Sequence, residues 1–150
     1  MAVTSNYFRK RVCLVIGLCF AAVPALADIG QIKVSKGDVL VERGGQMLPA
    51  AVGARLETSD VIKTGSDGSV GITMSDNSLL SAGPNSILSL DRFTFDSTTN
   101  QGQFDALLKR GSLSVVSGRI AKQSPDAMTL RTPSVTLGAR GTEFVVTVDE

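Results

Sequence analysis

The sequence predicts an all-β fold of short, mostly antiparallel strands in a sandwich or solenoid-like arrangement, and three observations carry that prediction. Apolar side chains recur at alternate positions, as in Val70, Ile72 and Met74, which is the period of a half-buried strand. Clusters of Gly, Asp, Asn and Ser interrupt the pattern about every ten residues, too close together for the helical crossovers of a parallel α/β sheet. No long amphipathic helical period follows residue 27. The spacing of the turns is not regular enough to define a true solenoid.

The first 27 of the 150 residues read differently from the rest. Arg9, Lys10 and Arg11 precede an apolar run from Val12 to Ala22, and Ala25-Leu26-Ala27 places small residues at the spacing of a signal-peptidase site. The expectation is a helical signal peptide over 1–27, cleaved after Ala27, and an all-β domain over 28–150. The run is about a dozen residues, short of the roughly 20 that span a bilayer, although a retained membrane anchor stays as an alternative. Both cysteines, Cys13 and Cys19, fall inside this segment. Cys19 follows Gly17-Leu18, so the Gly or Ala that a lipoprotein site places directly before its cysteine is not there.

Beyond residue 27 the strands follow in order. Ile32 and Val34, then Val39 and Val41, flank Lys36-Gly37-Asp38 and read as a first hairpin. Arg43-Gly44-Gly45-Gln46 is a further turn, and Met47-Leu48-Pro49 opens a connecting segment, since proline fits a central strand badly. Extended pattern resumes from Leu56 to Thr64, and Thr64-Gly65-Ser66-Asp67-Gly68 carries the Asp-Gly hairpin signal. Val70 to Met74, Leu79-Leu80 and Ile87 to Leu90 are strands divided by Asp76-Asn77 and Gly83-Pro84-Asn85. Phe104 to Leu108 reads as strand, with one helical turn as the alternative. Lys109-Arg110-Gly111 is the tip of a hairpin into Ser112 to Val116, and Gly118 to Asp126 is an exposed polar connection. The chain closes on Thr132 to Asp149, two strand patterns meeting at Gly141, with Arg140 and Glu143 three residues apart at the join.

Composition removes several chemistries. The chain has no histidine, and its cysteines lie in the leader, so a Ser-His-Asp triad, a Cys nucleophile and thiolate metal sites are excluded from the mature chain. No motif for Ser-Lys, Thr or paired-carboxylate catalysis stands out, and the expectation is a protein that is not an enzyme and carries no cofactor. Loss of Arg9, Lys10 and Arg11 takes 15 Lys plus Arg to 12 against 14 Asp plus Glu, a net charge of −2. With the basic residues dispersed, nucleic acid is not an expected partner. Asp60, Asp67 and Asp76 are read as turn formers, with calcium ligation the less favoured alternative because no Asp-x-Asp-x-Asp spacing occurs. Phe93 and Phe95 share a strand face, which favours packing over a ligand platform.

Arg131-Thr132-Pro133 followed by Ala139-Arg140-Gly141-Thr142-Glu143-Phe144 resembles the closing signature of the FecR domain, a bacterial envelope module named for iron-transport regulators. Gly53, Asp60, Ile62, Thr64-Gly65, Asp76-Asn77-Ser78, Pro84-Asn85-Ser86 and Gly111 follow that family's order of turns and strands. In the regulators this resembles, the domain lies in the periplasm, joined through a membrane helix to a cytoplasmic segment that controls a sigma factor. This chain has no segment of that kind before its apolar run. The resemblance therefore implies an exported, non-catalytic periplasmic or secreted module that binds an envelope protein, by strand addition in one form, and touches the membrane only through its leader. A membrane-anchored component of a sigma-factor system and an envelope polysaccharide-binding protein are the alternatives. The candidate motif is Thr132, Pro133, Arg140, Gly141, Thr142, Glu143 and Phe144. Arg140 either anchors a partner's carboxylate or carbonyls, or holds the final hairpin through Glu143 and neighbouring strands.

Overall fold

Alternating apolar residues and glycine-bearing turns lay the chain out as strands, and the computed structural model describes residues 27–139 and 143–149 of it. The strands are β1 (Gly30–Lys36), β2 (Val39–Arg43), β3 (Gln46–Pro49), β4 (Arg55–Leu56), β5 (Val61–Thr64), β6 (Ser69–Met74), β7 (Leu79–Ala82) and β8 (Ile87–Phe95). They continue with β9 (Gly102–Val116), β10 (Met128–Arg131), β11 (Thr136–Gly138) and β12 (Glu143–Val148), and one short helix, α1 (Arg119–Gln123), follows β9. Strand accounts for 57% and helix for 7%, so the all-β prediction holds.

These strands form one antiparallel sheet curled into two facing leaves. The front leaf runs β3-β2-β5-β8, then the first half of β9, then β10 and β11; the back leaf runs β4-β1-β6-β7, then the second half of β9, then β12. Only the β9–β10 pair is parallel among the described pairs. Apolar rows cross each leaf from strand to strand. In front, Val41, Ile62, Leu88 and Leu108 are mutual neighbours in register, and behind, Ile32, Ile72, Leu80 and Val115 are, all of them buried in one core. Burial of such rows is the main stabilising term.

The pairing differs from the expected hairpins in an instructive way. β1 and β2 do not pair with each other: β1 bonds β4 and β6, while β2 bonds β3 and β5. The Lys36-Gly37-Asp38 turn is instead an arch from one leaf to the other. Gly37 has φ of 65°, and a Cβ there would meet the Asp67 carbonyl, so this arch packs on the next one at residues 65–68. That second arch joins β5 to β6, which also do not pair, despite the Asp-Gly signal. Period-two alternation reports which face is buried and is silent on which edge is bonded, so an arch and a hairpin look alike in sequence.

Four further expectations change. Lys109-Arg110-Gly111 is no hairpin tip, because β9 runs unbroken through it and Gly111, at φ of 90°, passes the strand from the front leaf to the back. Met47 to Pro49 belongs to strand β3, where proline is tolerated because β3 lies at the sheet edge. The Gly118 to Asp126 segment is partly buried: it holds α1, whose Ile120 and Ala121 enter the core. The expected single stretch from Leu56 to Thr64 is also divided, into β4 and β5, by a turn with Ser59 at φ of 73°.

Candidate functional site

The closing motif splits between the leaves. Thr132 shapes the β10–β11 turn: its Oγ1 accepts the Val135 N–H at 3.0 Å, and its own N–H donates to the Val135 carbonyl at 2.8 Å. Pro133 is exposed on that turn. Glu143 and Phe144 begin β12 on the back leaf. β11 bonds β10 and β12 bonds β9, so the two closing strand patterns do not form a hairpin with each other. Arg140, Gly141 and Thr142 lie outside the described residues, and with them the expected Arg140–Glu143 pairing.

Glu143 and Phe144 open a strand at the margin of the described sheet. β12 pairs with β9 over its whole length, from Glu143 opposite Val116 to Val148 opposite Gly111, without a bulge. Among the described residues no strand pairs with its other side. Phe144 extends the buried row of Ile32, Ile72, Leu80 and Val115, and Val146 extends that of Val70, Ala82 and Leu113, yet both are only half-buried because the row stops there. On the opposite face Glu143, Val145, Thr147 and Asp149 are exposed, Val145 by 67%.

Natural sheets blunt their edges with short strands, proline, lysine or bulges. Three of the terminal strands here follow that practice: β3 carries Pro49, β4 has two residues and β11 three. β12 has six residues and no proline, lysine or bulge, its one charged residue being the exposed Glu143. Beside it opens a groove of about 300 Å³, with Thr132, Val135 and Leu137 on one wall and Val146, Val148 and Asp149 on the other. A wider recess of about 510 Å³ adjoins the same end of β12, between Pro84-Asn85 and Arg110 to Ser112.

The turn carboxylates serve the fold. Asp60 is fully buried and receives Arg43 through Nε at 2.8 Å and Nη2 at 2.6 Å, along with the Glu57 N–H at 2.8 Å. Arg43 also donates to Glu57 at 2.9 Å and to the Arg55 carbonyl at 3.0 Å. Its pKa is raised, first by the hydrogen bond to Asp60 and then by the charges of Asp60 and Glu57, against the opposing effect of burial. Asp76, equally buried, accepts the Ser78 N–H and hydroxyl at 3.0 and 2.8 Å and the Ile120 N–H at 3.3 Å, which caps α1 from 44 residues away. Asp67 accepts the Asp38 N–H at 3.2 Å. Each of the three carboxylates is thus engaged by backbone or arginine, which fits the turn-former reading. Among the described residues no group of three or more His, Cys, Asp or Glu is placed to hold a metal ion.

Phe93 and Phe104 meet edge to face at 5.5 Å between ring centres, both buried, and Phe95 packs against the same core. These rings are therefore core, not a platform for sugars. Among the described residues no helix is long and apolar enough to cross a membrane.

The described residues thus form an all-β sheet whose buried aspartates, Asp60 and Asp76, are tied into the fold. Residues 60–150 match the model of the FecR family, described as FecR protein, and the chain belongs to that family. FecR proteins are associated with regulation of signalling in envelope systems, where they act with protein partners. Comparison with curated proteins and with solved structures gives no match. The match begins at Asp60, but the sheet does not: β1 to β4 precede it and bring Ile32, Val39, Val41 and Leu56 into the common core.

Proposed function

We propose that this chain is an exported, non-catalytic recognition module of the periplasm or envelope, cleaved after Ala27, which binds a protein partner by adding that partner's strand to β12. The observation that carries it is the six-residue, unblunted edge of β12 beside three blunted ones. Main-chain groups on an open edge offer affinity to any extended segment, and the pockets alongside select among side chains. Membership of a family that acts through protein partners in envelope signalling supports the same reading. Its localisation rests on Arg9-Lys10-Arg11, the apolar run and Ala25-Leu26-Ala27.

Fractionation of the producing cells followed by mass determination of the amino terminus tests export. A periplasmic or secreted chain beginning at Asp28 is expected. A chain retaining residues 1–27 in the membrane fraction overturns export and returns the function to an anchored signalling component.

A further inference from the structure

The sheet takes hold of the chain directly after the expected cleavage point. Ala27 and Asp28 are exposed, but Ile29, the second residue past the bond between them, is 3% exposed and belongs to the core. Its N–H donates to the Leu56 carbonyl at 3.0 Å, and its carbonyl accepts the Ser75 N–H at 2.9 Å. Gly30 follows, laid so closely on β6 that a Cβ there would meet the Met74 Sδ at 2.9 Å and the Thr73 carbonyl at 3.0 Å. Asp28 itself is held at three atoms: its carbonyl accepts the Ser75 hydroxyl at 3.2 Å, its Oδ1 accepts the Gly30 N–H at 3.1 Å, and its Oδ2 meets Arg55 Nη1 at 2.9 Å.

A peptidase takes its substrate as an extended segment reaching both sides of the bond it cuts, so Asp28 and Ile29 must leave the sheet first. Leaving exposes the Ile29 side chain and breaks its two main-chain bonds, and cleavage of a folded chain then follows the small population of that opened form. The partners that close this clasp are distant in sequence: Arg55 lies 27 residues on and Ser75 lies 47. The bond therefore stays open until Ser75 has emerged, an interval of roughly two to nine seconds at the pace of chain synthesis. Resting on the export reading above, we infer that the fold sets the order of maturation: the leader is cut before residues 28–30 enter the sheet, and a chain that folds first keeps its leader. The clasp on Asp28 and Ile29 thereby divides one chain between a released and a leader-bearing form according to which step comes first.

Two precursors test this order: the native chain of residues 1–150, and the same chain with a flexible linker of about eight residues, an aspartate followed by Gly and Ser, inserted after Ala27. Each is folded in detergent, treated with a bacterial signal peptidase and read by intact mass. The folded native precursor is expected to be cut roughly tenfold more slowly than the linker form, because its bond must wait for local opening. Both are expected to be cut equally when synthesised into membrane vesicles, where the bond meets the peptidase before the sheet closes. Arg55→Ala with Ser75→Ala loosens the clasp at two exposed positions and should speed cleavage of the folded native precursor. Equal rates for the two folded precursors overturn the order of maturation while leaving export in place. Failure of both chains to be cut after Ala27 in the vesicles overturns the export reading, and the order with it.

Discussion

The two ends of the curled sheet have solved the same problem differently. At the β3–β4 end the strands are short, Pro49 interrupts the edge, and Arg43 clamps Asp60, Glu57 and the Arg55 carbonyl into one fastening. At the β11–β12 end the strand is long, its inner side chains are half-covered, and the neighbouring leaf extends past it. Both ends need their apolar rows closed, since exposed rows invite association. One end closes them internally. At the other, among the described residues, Phe144 and Val146 stay half-covered, so the two ends differ in how firmly their rows are closed.

The largest effect is expected at the fastened end. Asp60→Ala leaves the Arg43 guanidinium and the Glu57 N–H without their buried acceptor, and breaking such a pair from one side costs about 3 kcal/mol. Urea unfolding of this variant should show that loss, whereas Glu143→Ala at the open end should stay within about 0.5 kcal/mol, as exposed substitutions do. Equal losses at the two ends would dissolve the contrast.

Asp76→Ala sharpens the comparison from the body of the sheet. It removes the acceptor for Ser78 and for the Ile120 N–H, and loss of a buried cap of this kind costs about 2 kcal/mol. The Asp76 fastening lies outside both ends, so the loss should appear as a lower unfolding midpoint with hydrogen exchange at β12 unchanged in the folded fraction. Faster exchange at β12 in a variant that is still folded would mean that α1 shapes the edge.

How much of this was legible in the sequence depends on the distance over which each bond acts. The strands Val70 to Met74 and Leu79-Leu80, and the turn at Asp76-Asn77 between them, were readable because alternation and turn chemistry are local. So was the exposed outward face of the final strand. Partners were not readable, because Gly37 and Gly65 mark an arch with the same residues that would mark a hairpin. Asp60 and Asp76 looked like ordinary turn aspartates, yet Asp60 holds Arg43 from 17 residues away and Asp76, besides its local bonds to Ser78, reaches Ile120 across 44. The closing motif could be named from the sequence, but its division between the β10–β11 turn and β12, on different leaves, exists only in the order of strands.

The smallest effect separates a local aspartate from those two. Asp96 lies exposed in the β8–β9 loop, and its pKa is lowered by hydrogen bonds, first from the Thr98 N–H at 2.8 Å and then from that of Thr99 at 3.4 Å. A carboxylate whose folded pKa lies below its unfolded value stabilises the fold above the unfolded value, and that contribution is lost as pH falls through the folded one. The loop amides of Thr98 and Thr99 should therefore shift in an NMR titration only below about pH 4, the ordinary range for aspartate. In Asp96→Asn, which keeps the acceptor and removes the charge, they should not shift. The β12 amides should be indifferent to both the titration and the substitution; movement there would show that the loop and β12 are coupled, and the contrast between the two ends would have to be redrawn.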